Sequence, residues 1–173
     1  MTDRQEKIMV SGLELFATRG YHATSTNEVA KHAGVSEGLI FRHFANKDGL
    51  LKAILLQCEQ KVKQLYQEVI DQPTAVQVVR AFLEMPFKVP EKEYSFWKLL
   101  FTLKSELNIN NAEKTKALRQ ALTNAFGELL YADPEMETDF IVCYIDGLIG
   151  AILKGEAKAT PKLKKFLLNK YNC

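Results

Sequence analysis

The sequence predicts an all-α protein, with a small three-helix head over residues 1–46 and a larger helical body over residues 47–173. Three observations predict it. Nearly every apolar run repeats at spacings of three and four, the period that lays one helix face against a core. Helix-start signals stand between the runs, Ser25-Thr26-Asn27-Glu28 and Asp133-Pro134-Glu135 being the clearest. Apolar residues make up 47% of the chain, enough buried surface to offset the entropy of ordering it.

The first helix is expected over residues 3–19, with Ile8, Leu15 and Phe16 on one face. Gly12 shares that face and lets another helix come close. Arg19 puts a cation in the last turn, and Gly20 stops the helix. The second helix is short: Ser25 and Glu28 have the S-x-x-E form of a capping box, Val29, Ala30 and Ala33 make a small apolar face, and Gly34 ends it. Ser36 is placed to cap a third short helix ending at Phe44, with Ile40 and Phe44 turned inward.

A long fourth helix starts after Asn46, and Leu51, Leu55, Cys58, Val62, Leu65 and Val69 form its narrow seam. Pro73 stops it and serves as the first residue of a fifth helix, whose apolar face is Val76, Val79 and Phe82. Pro86 and Pro90 bracket a break. An aromatic-rich segment over residues 91–107 precedes a loop over residues 108–111, then an amphipathic helix carrying Leu118, Leu122, Phe126 and Leu129. After the Asp133 cap, the run FIVCYIDGLIGAIL has two readings. Its β-branched residues and the Asp146-Gly147 pair suit a hairpin, whereas the cap and the helical context favour a helix. Thr160-Pro161 opens a last helix with Leu163, Phe166, Leu167 and Tyr171.

Composition narrows the function. A net charge of +2 gives no strong pull on polyanions, so placement of charge has to carry that argument. Cys58, Cys143 and Cys173 are odd in number and far apart, which suggests neither a zinc site nor a disulfide framework. Cys58 and Cys143 lie in apolar runs and read as core. The charged start MTDRQEK has no apolar stretch behind it, and the run over residues 140–153 is broken by Asp146 and too short for a bilayer. A cytoplasmic protein with no membrane partner is expected. No H-E-x-x-H, G-x-S-x-G or phosphate-cradling glycine loop occurs, which argues against an enzyme and against a metal or cofactor.

Two short helices joined by Ala33-Gly34-Val35-Ser36 have the size of a helix-turn-helix, the second able to lie in a major groove while the first braces it. With Ile40 and Phe44 inward, Glu37, Gly38, Leu39, Phe41, Arg42 and His43 point outward. Arg42 can read guanine or hold a phosphate, Glu37 can accept from cytosine N4 or sit as a first-turn acid, Leu39 and Phe41 can meet a thymine methyl, and Phe41 can also be partly core. The first fifty residues hold six Lys and Arg against six Asp and Glu, plus His22, His32 and His43. The charge of this segment should rise as pH falls toward about 6, and modest, salt-sensitive affinity that depends on dimerisation is expected.

The stretch ELFATRGYHATSTNEVAKHAGVSEGLIFRHFANKDGLL closely resembles the DNA-binding signature of the tetracycline-repressor (TetR) family, through LF…RGY, VA…AGVS, G-L-I-F…F and NK-D-G-L-L. The resemblance covers about residues 5 to 55, and DGLIGAILKG is similar to a stretch of that family's next-to-last helix. It implies phosphate contacts from Thr26, Asn27, His43 and Lys47, with Asn27 standing where a basic residue is frequent. Base and sugar contacts then fall to Glu37, Gly38, Leu39, Phe41 and Arg42, with Ser36 also counted among the DNA-binding residues.

One short recognition helix reads too few bases, so a homodimer on a palindromic double-stranded DNA operator is expected. The resemblance places the dimer contact in the last two helices, at Phe140, Tyr144, Gly147, Leu148, Ala151, Ile152, Leu163, Phe166 and Leu167, residues that as monomer core would look the same. It also implies a pocket for a small apolar ligand in the body. The aromatic group of Phe82, Met85, Phe87, Tyr94, Trp97 and Phe101 lies in the right region and reads either as that pocket or as core. The fourth helix would link the two functions. Set against this ligand-released repressor is a helical adaptor that has lost DNA binding, which the neutral head and Glu37 would suit.

Overall fold

The computed structural model describes residues 2–106 and 112–173; the loop expected over residues 108–111 lies outside the described residues. Among the described residues the chain is helical without a strand: α1 (Asp3–Arg19), α2 (Thr26–Ala33), α3 (Glu37–Phe44), α4 (Lys47–Ile70), α5 (Ala75–Lys88), α6 (Tyr94–Glu106), α7 (Ala112–Glu128), α8 (Pro134–Lys154) and α9 (Pro161–Lys170), with one 3-10 turn (Glu91–Glu93) before α6. The chain forms two compact units. The first takes everything up to Lys61 and then α6; the second takes the rest of α4 with α5, α7, α8 and α9. The boundary expected at residues 46 and 47 falls at the turn between α3 and α4, whereas the units part within α4.

In the first unit, Ile8, Leu15 and Phe16 of α1, Val29 and Ala30 of α2, Ile40 of α3 and Leu50, Ile54 and Cys58 of α4 enclose one core, which Phe96 and Leu99 of α6 complete. Gly12 fits as its position suggests. A Cβ added there would sit 3.1 Å from Leu50 Cδ2 and 3.3 Å from Ile54 Cδ1, so a larger residue would make those side chains give by a few tenths of an ångström where α1 and α4 meet.

The second unit packs α7 on α5 and α8, with α9 on α5. Asp133 caps α8 by accepting from Met136 N at 3.0 Å, with Pro134 next. This closes the ambiguity of residues 140–153 in favour of helix, since Ile141, Ile145, Leu148 and Ile152 then fall on one buried stripe.

Three local expectations are corrected and a fourth is refined. Pro73 does not open α5; Thr74 does, its hydroxyl accepting from Gln77 N at 3.4 Å, because a hydroxyl answers an orphan amide and a proline ring cannot. Val76 is 39% exposed, and the face of α5 is Val78, Val79, Phe82 and Leu83 instead. The break does fall between Pro86 and Pro90, after Lys88, but Pro86 itself does not end the helix. It lies buried in the last turn of α5, where its cost of up to about 3 kcal/mol is offset by burial of the ring and by a helix that runs only to Lys88. Cys143 is exposed rather than core, lying about half a turn from the buried stripe of α8.

Candidate nucleic-acid interface

The α2–turn–α3 segment is built from short-range bonds that its sequence dictates. Ser25 Oγ accepts from Glu28 N at 3.2 Å and Glu28 Oε2 accepts from Ser25 N at 2.8 Å, a reciprocal capping box. Donation to the Glu28 carboxylate from Ser25 N, then from Ser25 Oγ at 2.9 Å, ahead of the charges of Arg19 and Lys31, holds the Glu28 carboxyl below its ordinary range. Gly34 takes the left-handed conformation, φ 66° and ψ 36°, and donates back to Ala30 and Lys31, the turn a side chain would strain. Ser36 is the cap residue of α3, but its hydroxyl makes no capping bond. Leu39 N, the donor it would serve, is bonded to the Ser36 carbonyl at 3.0 Å.

The head is fixed to α4 by residues that read only as a signature in the sequence. Lys47 Nζ donates to the carbonyls of Tyr21 and Thr24, both at 3.1 Å, and lies 4.3 Å above the Tyr21 ring. Tyr21 Oη donates to Asp48; burial first, then that bond, pushes the phenol up to about 12. Asn46 Oδ1 accepts from Gly49 N at 2.8 Å. A Cβ on Gly49 would stand 1.8 Å from the Phe44 carbonyl oxygen, so only glycine lets the end of α3 meet the start of α4. The RGY and NK-D-G-L elements are thus one clasp.

Apart from Ser36, the residues expected to contact DNA divide into three groups. Gly38, Phe41 and Arg42, at helical spacing on α3, are all exposed, Phe41 at 48%, and share one open face. Leu39 and His43 are half-buried: Leu39 packs against the core, and His43 sets its ring edge to Phe44 at 6.1 Å. Ser36 is exposed with its hydroxyl outside the cap, and the others are engaged. Lys47 has spent two of its three donors on the clasp. Thr26 Oγ1 donates to Glu37 Oε1 at 2.6 Å, and Asn27 Nδ2 to Glu37 Oε2 at 3.3 Å. Thr26 first, then Asn27, hold the Glu37 carboxyl below its ordinary range. Sequence reasoning missed this contact, because nothing in the spacing of 26 and 37 announces it. His32 faces Glu14 at 3.1 Å on the surface.

The residues expected to line a ligand pocket fall in different units: Phe82, Met85 and Phe87 in the second, Tyr94, Trp97 and Phe101 in the first. Phe82 and Met85 are buried, and the Trp97 indole nitrogen is buried without a hydrogen-bond partner. A cleft of about 300 Å³ between α1, α4 and α6, which sequence reasoning missed, is lined by Met9, Leu13, Gln57, Lys61 and Phe96 among others. Of the residues expected at a dimer contact, Phe140, Tyr144, Gly147 and Phe166 are exposed, Ala151 and Leu163 half-buried, and Leu148, Ile152 and Leu167 buried in the second unit. Among the described residues no group of three or more His, Cys, Asp or Glu could hold a metal ion, and no helix is long and apolar enough to cross a membrane.

A capped brace helix, a left-handed glycine turn and a second short helix with one open face, clasped to a longer helix, make up the helix-turn-helix head that DNA-binding transcription regulators carry. Residues 8–54 match the model of the tetR family of bacterial regulatory proteins. The HTH-type transcriptional activator FasR of Mycolicibacterium smegmatis is 28% identical over 136 residues, 78% of this chain, and the chain spans 62% of that relative's length. A transcriptional regulator of Aquifex aeolicus is 25% identical at a TM-score of 0.71, with 98% of each chain covered. A transcriptional regulator from Saccharomonospora viridis, solved in complex with choline, shares the fold at a TM-score of 0.73 and 18% identity, covering 98% of this chain and 95% of its own. The relatives named here are transcriptional regulators, and the chain shares their fold.

Proposed function

We propose that this chain is a ligand-responsive transcriptional regulator: a cytoplasmic repressor that binds a palindromic operator as a homodimer and is released by a small apolar ligand. The open face of α3 carries the reading. Arg42 offers a planar fork to guanine O6 and N7 or to a phosphate, Phe41 an apolar edge to a thymine methyl, and Gly38 close approach of the backbone. DNA contact is assigned to residues 1–46, with ligand and dimer contacts in residues 47–173. The start of α4 and α6 serve as the platform of the head.

The homodimer is supported by the exposed Phe140, Tyr144 and Phe166 on α8 and α9. Ligand response is supported by the buried, unpaired indole of Trp97, a donor whose missing partner costs about 1–3 kcal/mol and which a ligand's acceptor would satisfy. The continuous α4, shared by both units, supports a population shift carried from body to head. The choline-bound neighbour puts choline beside apolar compounds in the ligand panel, and the relative named an activator makes the sign of regulation a measurement in its own right.

Selection of bound duplexes from a random pool tests the reading. The expected product is an inverted repeat whose half-site centres lie roughly one helical turn, about 10 bp, or a multiple apart. No enrichment of any duplex leaves the adaptor reading, which the neutral head and the engaged Thr26 and Asn27 favour. A promoter-reporter fusion distinguishes repression from activation. Trp97 is the only tryptophan in the chain, so its fluorescence reports ligand titrations directly.

A further inference from the structure

We propose that Glu37 is an internal occupant of a phosphate site on α2 and thereby sets how tightly, and with what salt dependence, the head holds duplex DNA. The inference rests on the reading that α2 and α3 dock on DNA. Its observation is that one carboxylate has taken both side-chain donors of the first turn of α2. Thr26 Oγ1 reaches one oxygen at 2.6 Å and Asn27 Nδ2 the other at 3.3 Å.

A phosphodiester presents the same thing to a protein: two anionic oxygens a short distance apart, each wanting a donor. Hydroxyl and amide donors at the start of a brace helix suit such a group. In this chain they are satisfied from within, by an acid eleven residues after the threonine. A backbone phosphate approaching Thr26 and Asn27 therefore meets a negative charge instead of two open donors. Lys31 is the cation whose charge reaches Glu37, whereas Arg19 is paired with Glu28 at 3.4 Å.

The same bonds change how Glu37 is read. A carboxylate held against α2 by a donor on each oxygen is less free to turn to a cytosine amino group, and its effect on binding should be independent of base sequence. Glu37 lowers affinity for every duplex alike and leaves selectivity to Phe41 and Arg42. Affinity then depends on two heads binding together.

The test uses the full chain, the duplex recovered from selection and a scrambled duplex of equal length, with anisotropy titrations at several salt concentrations. Glu37→Gln is expected to bind both duplexes about equally tighter, roughly 5- to 20-fold, with the slope of log affinity against log salt steeper by up to about one. Glu37→Asp keeps the charge but is one methylene too short to span both donors, and should fall between. In a Thr26→Val background the gain from Glu37→Gln should shrink, since the freed donor is gone. Circular dichroism and thermal unfolding establish that each variant is folded; should Glu37→Gln unfold, Glu37→Asp decides alone by binding tighter or not.

Equal or weaker binding by the folded variants overturns the inference, as does lost discrimination at a single base pair, which would make Glu37 a base reader. Wild-type protein that binds no duplex defeats the functional reading instead, so the two failures are distinguishable.

Discussion

Helices α3 and α8 both leave aromatic rings in solvent, and their surroundings differ. On α3, Phe41 stands beside Arg42 and a glycine, an isolated ring next to a cation. On α8, Met136, Phe140 and Tyr144 follow at every fourth residue, 63%, 54% and 38% exposed, and the last two rings stack at 6.4 Å between centroids. Phe166 of α9 is a further exposed ring in that unit, 61% exposed. A lone ring with a cation suits a polyanion whose apolar parts are small and scattered. A continuous apolar stripe suits another protein surface, because its burial is worth roughly 25 cal/mol per Å². The two faces differ also in support: α3 is held by a clasp that tolerates almost no change, whereas the α8 stripe is free to change without disturbing its own core.

The sharpest way to break this comparison is Gly49→Ala. The new Cβ meets the backbone carbonyl of Phe44, not a movable side chain, so either α3 or α4 must shift. A loss of about 3 kcal/mol or more is expected, read as a lowered midpoint in chemical denaturation, with operator binding lost in proportion to the unfolded fraction. An unchanged midpoint would show that the clasp is looser than its geometry.

The opposite behaviour is expected on α8. Phe140→Asp combined with Phe166→Asp should leave unfolding of the isolated chain within about 0.5 kcal/mol. The dimer dissociation constant should rise by roughly 30-fold or more, about 2 kcal/mol, as central aromatic contacts typically contribute. Sedimentation velocity over a concentration series measures it. Wild-type protein sedimenting as a monomer at every concentration removes the dimer from the proposal.

These contrasts also mark what was legible in the residues. Local signals are read reliably where one side chain answers one backbone group: Ser25 with Glu28, Asp133 before Pro134, Thr160 before Pro161. The same rule fails where two candidates compete for one job. Thr74 displaces Pro73, and the Ser36 carbonyl takes the donor its hydroxyl was expected to serve. Burial is misread where periodicity is dense. Cys143 and Ile141 lie two residues apart in one apolar run, and only the rotation of the helix decides which is inside. Contacts between elements are invisible altogether. Nothing in the residue order ties Glu37 to Thr26 or brings α6 against α1, and of the head's clasp only the resemblance gave notice, as unexplained letters in RGY and NKDG.

The smallest expected effect tests the second unit's own internal bonds. Glu84 of α5 is half-buried and accepts from Lys164 of α9 at 3.1 Å and from Arg80 at 3.4 Å. Burial pushes its carboxyl up, but the hydrogen bonds and charges of Lys164 and Arg80 outweigh that and leave it below the ordinary 4.5. A folded-state value depressed below the unfolded one stabilises the fold fully above the unfolded value, and the gain disappears as pH falls through the folded one. Docking of α9 should therefore weaken only below pH about 4.5, by about 1 kcal/mol or less given how exposed both cations are. Thermal unfolding from pH 7 to 3 should show this for wild type and a flatter profile for Glu84→Gln. Identical profiles would place the acid sensitivity elsewhere and leave the docking of α9 to the buried Leu167 and to Tyr171 just after it, which donates to Glu137 at 2.8 Å.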